Sequence, residues 1–330
     1  MMKCKSVFSV LLAILATAVA LWSQSAQVTA IRAGRLFDSK AGQTLTDQVV
    51  LIEGEKITEI GPSSRVPIPA GAQVIDLSQA TVLPGLIDAH THIFASNVGP
   101  VQTTREYRTL LALADAQIDL RTGFTTLRDL MSHGGGYGDV DVRNAINRGF
   151  FEGPRLQVST PGLVATGEGI VGSPEANLIP NYDVVDSPWA ARRAVREEIQ
   201  FGADWIKFHA TSDYRFSPDG KLWVNPTFTL EEVKAIVGEA HRHGKKTACH
   251  AFAGEGLKNC IEAGVDTLEH GIVLDESDIK TMLQKGIYLD LTALHYHTDE
   301  YLPADLKATG GIRHDPHTHL GGNGVLSKKQ

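Results

Sequence analysis

The chain has 330 residues, which is room for one α/β barrel of about 250 residues and a small additional module. Hydrophobic residues make up 42% of it and charged residues 21%, the balance of an ordinary globular protein. The net charge of -7 at pH 7 argues against a nucleic-acid-binding protein, which would present a basic face.

Residues 1–26 have the layout of a secretory signal peptide. Lys3 and Lys5 precede an apolar run from Val7 to Trp22, and small residues follow it. The alternative is a membrane anchor, but the run is shorter than the roughly 20 residues that a membrane span needs. We therefore expect cleavage, export to the periplasm or the medium, and no membrane attachment afterwards.

Three cysteines are present, and Cys4 lies inside the predicted signal peptide. Cys249 and Cys260 remain in the mature chain. Two cysteines make no disulfide framework, and these two form no CxxC metal pair. We expect two buried free thiols.

Residues 27–80 alternate short β-rich segments with turns. The segments are Val28–Arg32, Gln48–Ile52 and Lys56–Ile60, and glycine-containing turns punctuate them. This pattern predicts a small antiparallel β module, which we expect to be a β-sandwich.

From residue 81 to residue 330, apolar strands alternate with amphipathic helices. Strand, helix and strand at this spacing give parallel strands, and about eight such units close a TIM-type (β/α)8 barrel. We therefore predict an α/β fold of this type. The sequence shows seven strands: Thr81–Ile87, Thr125–Arg128, Arg155–Thr160, Trp205–His209, Lys246–His250, Thr267–His270 and Ile287–Leu291.

Three helices between these strands carry end signals. Pro188 predicts the first turn of one helix, and Gly202 follows its end. Thr229 and Glu232 form a capping box that starts the next helix. Gly264 ends the third.

His90 and His92 end the segment Pro84-Gly85-Leu86-Ile87-Asp88-Ala89-His90-Thr91-His92. A strand period of two puts both imidazoles on one face, at the strand end where barrel enzymes keep their functional residues. Two imidazoles there suit a divalent metal such as zinc. A chance surface pair is the alternative for an isolated HxH, and the apolar strand before this one makes the motif specific.

This strand resembles the metal-binding strand of the amidohydrolase superfamily, and within it the imidazolonepropionase-like and Xaa-Pro dipeptidase-like amidohydrolases. The resemblance runs from about Gln27 to Thr292. Four further segments resemble the second, fourth, fifth and sixth strands of that subgroup: Gly123–Asp129, Asp204–Phe208, His250–Ala253 and Ala263–Gly271.

The resemblance implies two divalent metal ions, which we expect to be zinc. His90 and His92 match the ligands of the first metal, and His250 and His270 match those of the second. Lys207 matches the lysine that reacts with carbon dioxide to become a carbamate bridging both metals. The implied reaction is hydrolysis of a C–N amide bond by a hydroxide that bridges the metals.

Elementary chemistry supports that role for Lys207, which lies in an apolar strand. An ammonium there needs a partner, whereas a desolvated lysine has a lowered pKa and becomes a neutral, nucleophilic amine. The alternative is a lysine that snorkels from the strand end or pairs with a carboxylate.

The family's proton carrier is an aspartate at the end of strand eight, and the sequence offers none in the expected context. After Leu294, 330 − 294 = 36 residues remain, and Asp315 among them lacks the apolar strand that should precede it. We expect a barrel without its last strand and helices. Truncation or a frameshift, completion by another chain, or a different proton carrier would each explain this.

Three further histidines are candidates for substrate contacts. His209 shares a strand face with Lys207. His295 and His297 form a second HxH just past strand seven, where solvent-exposed loop histidines are the alternative.

Two other features of the sequence carry weaker signals. Arg128 and Asp129 follow strand two, and we expect a structural ion pair between them. His133, beside the run Gly134-Gly135-Gly136, is expected in a mobile loop near the substrate.

The function that this pattern favours is that of a peptidase-like amidohydrolase acting on dipeptides or N-acyl amino acids. The predicted export favours peptide scavenging over cytosolic histidine breakdown. The first alternative is a hydrolase of cyclic amides or lactones, as in imidazolonepropionase. The second is an inactive fragment that binds metal or a partner chain. We expect no nucleic-acid partner, and the sequence leaves homo-oligomer formation open.

Overall fold

The computed structural model describes residues 27–95, 104–167, 182–216 and 222–292. The predicted signal peptide, His295, His297 and the segment expected to lack strand eight lie outside these ranges. The chain divides into two compact units, Met1–Pro84 and Gly85–Gln330. Among the described residues, no helix is both long enough and apolar enough to cross a membrane.

The first unit is a four-stranded mixed sheet. Its strands are β1 Val28–Asp38, β2 Gln43–Glu53, β3 Lys56–Pro62 and β4 Gln73–Val82, in the order β3-β2-β1-β4. The pairs β1–β2 and β2–β3 are antiparallel, as the sequence predicts, but β4 pairs with β1 in parallel. The described residues of this unit form one sheet, so the predicted sandwich stays a prediction.

The second unit alternates strands and helices. Its strands are β5 Leu86–Thr91, β6 Phe124–Asp129, β7 Arg155–Val158, β8 Leu163–Val164, β9 Asp183–Val184, β10 Trp205–His209, β11 Thr211–Phe216, β12 Leu222–Pro226, β13 Lys246–Ala251, β14 Thr267–His270 and β15 Tyr288–Asp290. Its described helices are α1 Arg105–Arg121, α2 Gly138–Asn147, α3 Pro188–Phe201, α4 Leu230–Arg242, α5 Gly254–Ala263 and α6 Glu276–Lys285.

Nine of these strands form two parallel sheets, and β11 and β12 form a separate antiparallel pair. One parallel sheet has the order β5-β6-β7, and the other has the order β15-β14-β13-β10-β8-β9. The Asp204 amide, just before β10, donates to the Val158 carbonyl of β7 at 2.8 Å. Seven of these strands correspond to the seven predicted ones, and β10 and β14 have the predicted bounds. The closed barrel stays a prediction, because the described strands are open at β5 and β15.

The first predicted strand, Thr81–Ile87, is wrong in its bounds. Thr81 and Val82 end β4 and pair with Arg35 and Leu36 of β1, and β5 begins only at Leu86. Pro84 separates the two strands because proline has no amide hydrogen to donate to a ladder. The shift places His90 inside β5 and His92 directly after it.

The predicted helix ends are confirmed. The Ser187 side chain caps α3, Pro188 is in its first turn, and Gly202 ends it in the left-handed conformation. Thr229 and Glu232 form the predicted capping box of α4. Gly264 closes α5 in the same left-handed way as Gly202 closes α3.

The larger core cluster lies where α3, α4 and α5 cover the second sheet. Ile206 and Phe208 of β10 pack there with Ile236 of α4 and Leu257 of α5. These side chains alternate along β10 with Lys207, so the strand turns its apolar residues to the helices and its lysine to the opposite face.

Apolar side chains also lie exposed at the two end strands. Ile87 of β5 is 69% exposed, and Tyr288 of β15 is 76% exposed. Leu283 of α6 is 78% exposed and lines an apolar groove between α6 and β15.

Cys249 and Cys260 form a disulfide, so the predicted free thiols are wrong. Cys249 lies on β13 and Cys260 on α5, and both are fully buried. The helix that follows β13 packs back onto it, which brings the two Cα atoms to 6.5 Å, within the range of a disulfide. Residue counting along the chain does not reveal this pairing because it depends on how the helix packs.

We expect the double substitution Cys249→Ala and Cys260→Ala to lower the free energy of unfolding by about 3 kcal/mol. A cross-link that closes a short loop restricts the unfolded chain by an amount of this order. Guanidinium denaturation of the variant and the wild type measures the difference. Cys4→Ala is the matched control and should leave the unfolding transition unchanged. Alkylation of Cys249 in unreduced, unfolded wild-type protein would contradict the disulfide.

Candidate metal centre

The structure brings together the four histidines that the sequence selects. His90 comes from β5, His92 follows it, His250 comes from β13 and His270 ends β14. Ring centroids are 5.1 Å apart for His90–His92 and for His90–His270, and 4.4 Å apart for His250–His270. The carboxyl ends of parallel strands meet at one edge of the array, which is why residues far apart in the chain form one cluster.

Lys207 lies at the centre of β10, beside Ala248 of β13. It is 1% exposed, and its Nζ has no hydrogen-bond partner among the described residues. Burial lowers the pKa of Lys207 to about 8, although Glu269 opposes that shift. With a pKa of about 8, more of this amine is in the neutral, nucleophilic form at neutral pH than in an exposed lysine, which fits the carbamate that the sequence predicts.

Burial also keeps His92 and His270 neutral. It holds the pKa of His92 well below the ordinary range, with His133 and His90 adding to the shift. The pKa of His270 is lowered in the same way, first by burial and then by His90. Neutral imidazole is the form that binds metal, so the low pKa values favour a ligand role.

Arg128 and Glu269 form a buried ion pair that the sequence does not reveal. Arg128 Nη2 lies 3.0 Å from Glu269 Oε1 and 3.8 Å from Asp290 Oδ2. Glu269 Oε2 lies 2.7 Å from His90 Nδ1. The ligand atoms of His90, Glu269 and Asp290 lie within 4.8 Å of one another.

The predicted ion pair between Arg128 and Asp129 is wrong. Neighbouring residues of a strand point to opposite faces, so Arg128 reaches Glu269 while Asp129 accepts from the Ile93 amide at 3.1 Å. Asp129 is fully buried, and its Oδ2 has no hydrogen-bond partner among the described residues. Burial, followed by the charge of Asp139, raises the pKa of Asp129 well above its ordinary range.

His209 and His133 lie beside the cluster. The His209 ring stacks on His250 at 4.2 Å, and the His133 ring meets His92 edge-on at 4.4 Å. Tyr182 lies between these two, 6.0 Å from the His209 ring and 6.3 Å from the His133 ring. The sequence indicates His209 and His133 as candidates but not Tyr182. No motif in the sequence around Tyr182 marks it as a site residue.

Glu269 and Asp290 are the other residues that sequence reasoning misses. The sequence held a signal for Glu269, because it lies inside the predicted strand Thr267–His270 and an anion inside such a strand needs a partner. Asp290 lies inside the predicted strand Ile287–Leu291 in the same way. Four clustered histidines, of which burial keeps His92 and His270 neutral, and a buried amine make a donor set that suits divalent metal ions.

A profile described as the Amidohydrolase family matches residues 81–312. The chain belongs to the amidohydrolase family. The match contains all four clustered histidines and Lys207. The roles of these residues as ligands stay a prediction, because family membership assigns none of them individually.

This amidohydrolase is similar to three proteins with established names. Ochratoxinase of Aspergillus niger is 30% identical over 293 residues, which cover 80% of this chain and 58% of ochratoxinase. Imidazolonepropionase of Anaeromyxobacter dehalogenans strain 2CP-C is 25% identical over 326 residues, covering 86% of this chain and 72% of the relative. The crystal structure of a Xaa-Pro dipeptidase with bound methionine in the active site is 32% identical, with a TM-score of 0.70, and covers 84% of this chain and 71% of that one.

The chain spans 58% of the length of ochratoxinase. The activities of these relatives therefore belong to this amidohydrolase only as proposals.

We expect Asp129→Asn to stabilise the fold at pH 8 and to lose that advantage as the pH falls towards 4. Because the folded pKa of Asp129 is raised, ionisation destabilises the folded state above the unfolded pKa, and asparagine has no such penalty. The asparagine oxygen can still accept from the Ile93 amide. Urea denaturation of both proteins at a series of pH values measures the difference.

Asp141→Asn, on the neighbouring helix α2, is the control for a change of net charge. An Asp129→Asn variant that is equally destabilised at every pH would contradict the buried, protonated carboxyl.

Proposed function

We propose that this chain is a metal-dependent hydrolase of C–N amide bonds, acting on dipeptides or N-acyl amino acids. The observation that carries the proposal is the buried Lys207 amine, which has no hydrogen-bond partner among the described residues and lies among strands that bring four histidines together. A fold keeps such a costly group when the amine has a chemical use.

His90, His92, His250 and His270 would hold two divalent cations, which we expect to be zinc, and Lys207 would share them. When bound, two such cations lower the pKa of a water molecule and polarise a substrate carbonyl. Lys207 would contribute as a carbamate. Its neutral amine nitrogen would bond to the carbon of carbon dioxide, one C=O π bond would break with its electron pair going to oxygen, and one amine proton would leave to solvent. The carbamate would offer anionic oxygens to the cations.

The rings of His209, His133 and Tyr182 would line the substrate side of the site. They offer donors and flat faces near the histidine cluster. His295 and His297 stay in the proposal as substrate contacts from the sequence alone. We also retain export to the periplasm or the medium, and homo-oligomer formation stays open.

The choice of substrate rests on the relatives. The similar Xaa-Pro dipeptidase structure holds methionine in its active site, and another similar structure is a prolidase complexed with N-methylphosphonate-L-proline. A dipeptide with a C-terminal proline is therefore the first substrate to test. The similarity to imidazolonepropionase over 86% of this chain favours a cyclic amide as the second.

We expect the zinc-loaded chain to hydrolyse Xaa-Pro dipeptides. We expect Lys207→Met to lower kcat/KM by on the order of 10³-fold, because metal-assisted catalysis supplies several kcal/mol of transition-state stabilisation. A panel of dipeptides, N-acyl amino acids, cyclic amides and lactones measures the activity. Lys234→Met, which removes an exposed lysine paired with Glu262, is the matched control. A metal-loaded chain that is inactive on the whole panel would support the inactive fragment instead.

The carbamate predicts a signal of its own. Wild-type protein loaded with zinc and ¹³C-labelled bicarbonate should show one carbamate carbon in its ¹³C spectrum, and Lys207→Gln should not. Lys234→Gln should keep the signal. A spectrum without the carbamate carbon in active, zinc-loaded wild type would remove Lys207 from the proposed ligands.

A further inference from the structure

The carboxylate of Glu269 is fully buried at the end of β14, and both of its oxygens have partners. Oε1 accepts from Arg128 Nη2 at 3.0 Å and from Thr267 Oγ1 at 2.5 Å. Oε2 lies 2.7 Å from Nδ1 of the His90 ring. A carboxylate offers only acceptors, so the 2.7 Å contact favours the His90 tautomer that carries its proton on Nδ1.

We propose that Glu269 is the positioning residue for His90. It accepts from the Nδ1–H of the ring and so directs the Nε2 lone pair to a divalent cation. Arg128 and Thr267 fix the Glu269 carboxylate in turn. The inference rests on the proposed metal-dependent function and adds to it the group that sets the ring orientation and tautomer of one ligand.

The three groups His90, Glu269 and Asp290 are close enough to be taken for a metal site themselves. The position of Arg128 argues against that interpretation. Its Nη2 is 3.0 Å from Glu269 and 3.8 Å from Asp290, so a cation among these carboxylates would face the guanidinium charge. The occupied oxygens of Glu269 fit a carboxylate that orients a ligand.

His90 needs such a positioning group because the backbone ladder is irregular at this point. The pairing of β5 with β6 steps from Asp88–Leu127 to Thr91–Asp129, which leaves Ala89 and His90 in a bulge. Arg128 Nε donates to the Ala89 carbonyl, next to His90. The same arginine therefore holds the backbone beside His90 and, through Glu269, its ring.

Arg128 is itself fixed at two further points. Its Nη1 donates to Thr267 Oγ1 at 3.1 Å, and its Cζ lies 4.5 Å from the centre of the Trp205 ring. The planar guanidinium can satisfy the carbonyl, the hydroxyl and the carboxylate at once, which the point charge of a lysine cannot.

The test is zinc affinity of the full-length chain, measured by competition with a chromogenic chelator. We expect the wild type to bind two zinc ions, and Glu269→Ala to weaken one of them by about 10–100-fold, the usual effect of losing a carboxylate that orients a metal-binding histidine. Glu269→Gln should lose less, because its amide oxygen can still accept from Nδ1–H. Arg128→Lys should fall between the wild type and Glu269→Ala.

Glu239→Gln is the matched control. Glu239 is also buried and also pairs with an arginine and a histidine, Arg196 at 2.7 Å and His243 at 3.1 Å, but it lies on α4. Its loss should lower the free energy of unfolding and leave zinc affinity unchanged. Equal zinc affinity of Glu269→Ala and the wild type would overturn the inference and leave the proposed function standing.

A second readout needs no metal and no activity. Long-range ¹H–¹⁵N spectra of the metal-free protein should show His90 as the Nδ1–H tautomer in the wild type and in Glu239→Gln, and as a mixture in Glu269→Gln. A His90 ring that keeps the Nδ1–H tautomer alone in Glu269→Ala, which removes the acceptor, would also overturn the inference. A wild type that binds no zinc would overturn the proposed function, and the tautomer would then still decide whether Glu269 sets the ring.

Discussion

A primary amine that is buried without a hydrogen bond destabilises a fold. The second sheet is built around such an amine, Lys207 Nζ, which has no hydrogen-bond partner in the described part of the chain. Lys207 occupies the centre of β10, where Ile206 and Phe208 point to the helices and leave the amine on the inner face. Lys207 is 1% exposed, so bulk solvent hardly reaches the amine. The histidines on the neighbouring strands support the proposal that the amine serves a metal centre.

The charges around Lys207 show why a metal pair suits this interior. Arg128 is balanced by Glu269, and burial together with Glu269 raises the pKa of Asp290. An imidazole that binds a metal is neutral and adds no charge, so two divalent cations would leave a large positive excess. A carbamate on Lys207 would replace one positive charge with a negative one. The charge of this one side chain would therefore offset part of the charge of the bound cations.

Much of this arrangement follows from strand periodicity, and the rest does not. The period of two, the helix caps and the histidines at strand ends predict β10, α3, α4 and the clustered ligands, since each signal is local. Partners across the interior are not local: the sequence indicates the face of Arg128 but not that Glu269 lies opposite. The disulfide and the parallel pairing of β4 could not be predicted from the sequence for the same reason, because both depend on how separate elements pack.

Arg128 has a consequence for the fold as well as for the site. β5 and β15 end the two sheets, and no backbone ladder among the described residues joins them. From β6, the guanidinium contacts Ala89 on β5, Glu269 on β14 and Asp290 on β15. One buried side chain thus couples both end strands of the second unit. Because His90 stands on one of those strands, the geometry of the proposed metal ligands depends on an interaction that also holds the open side of the array together.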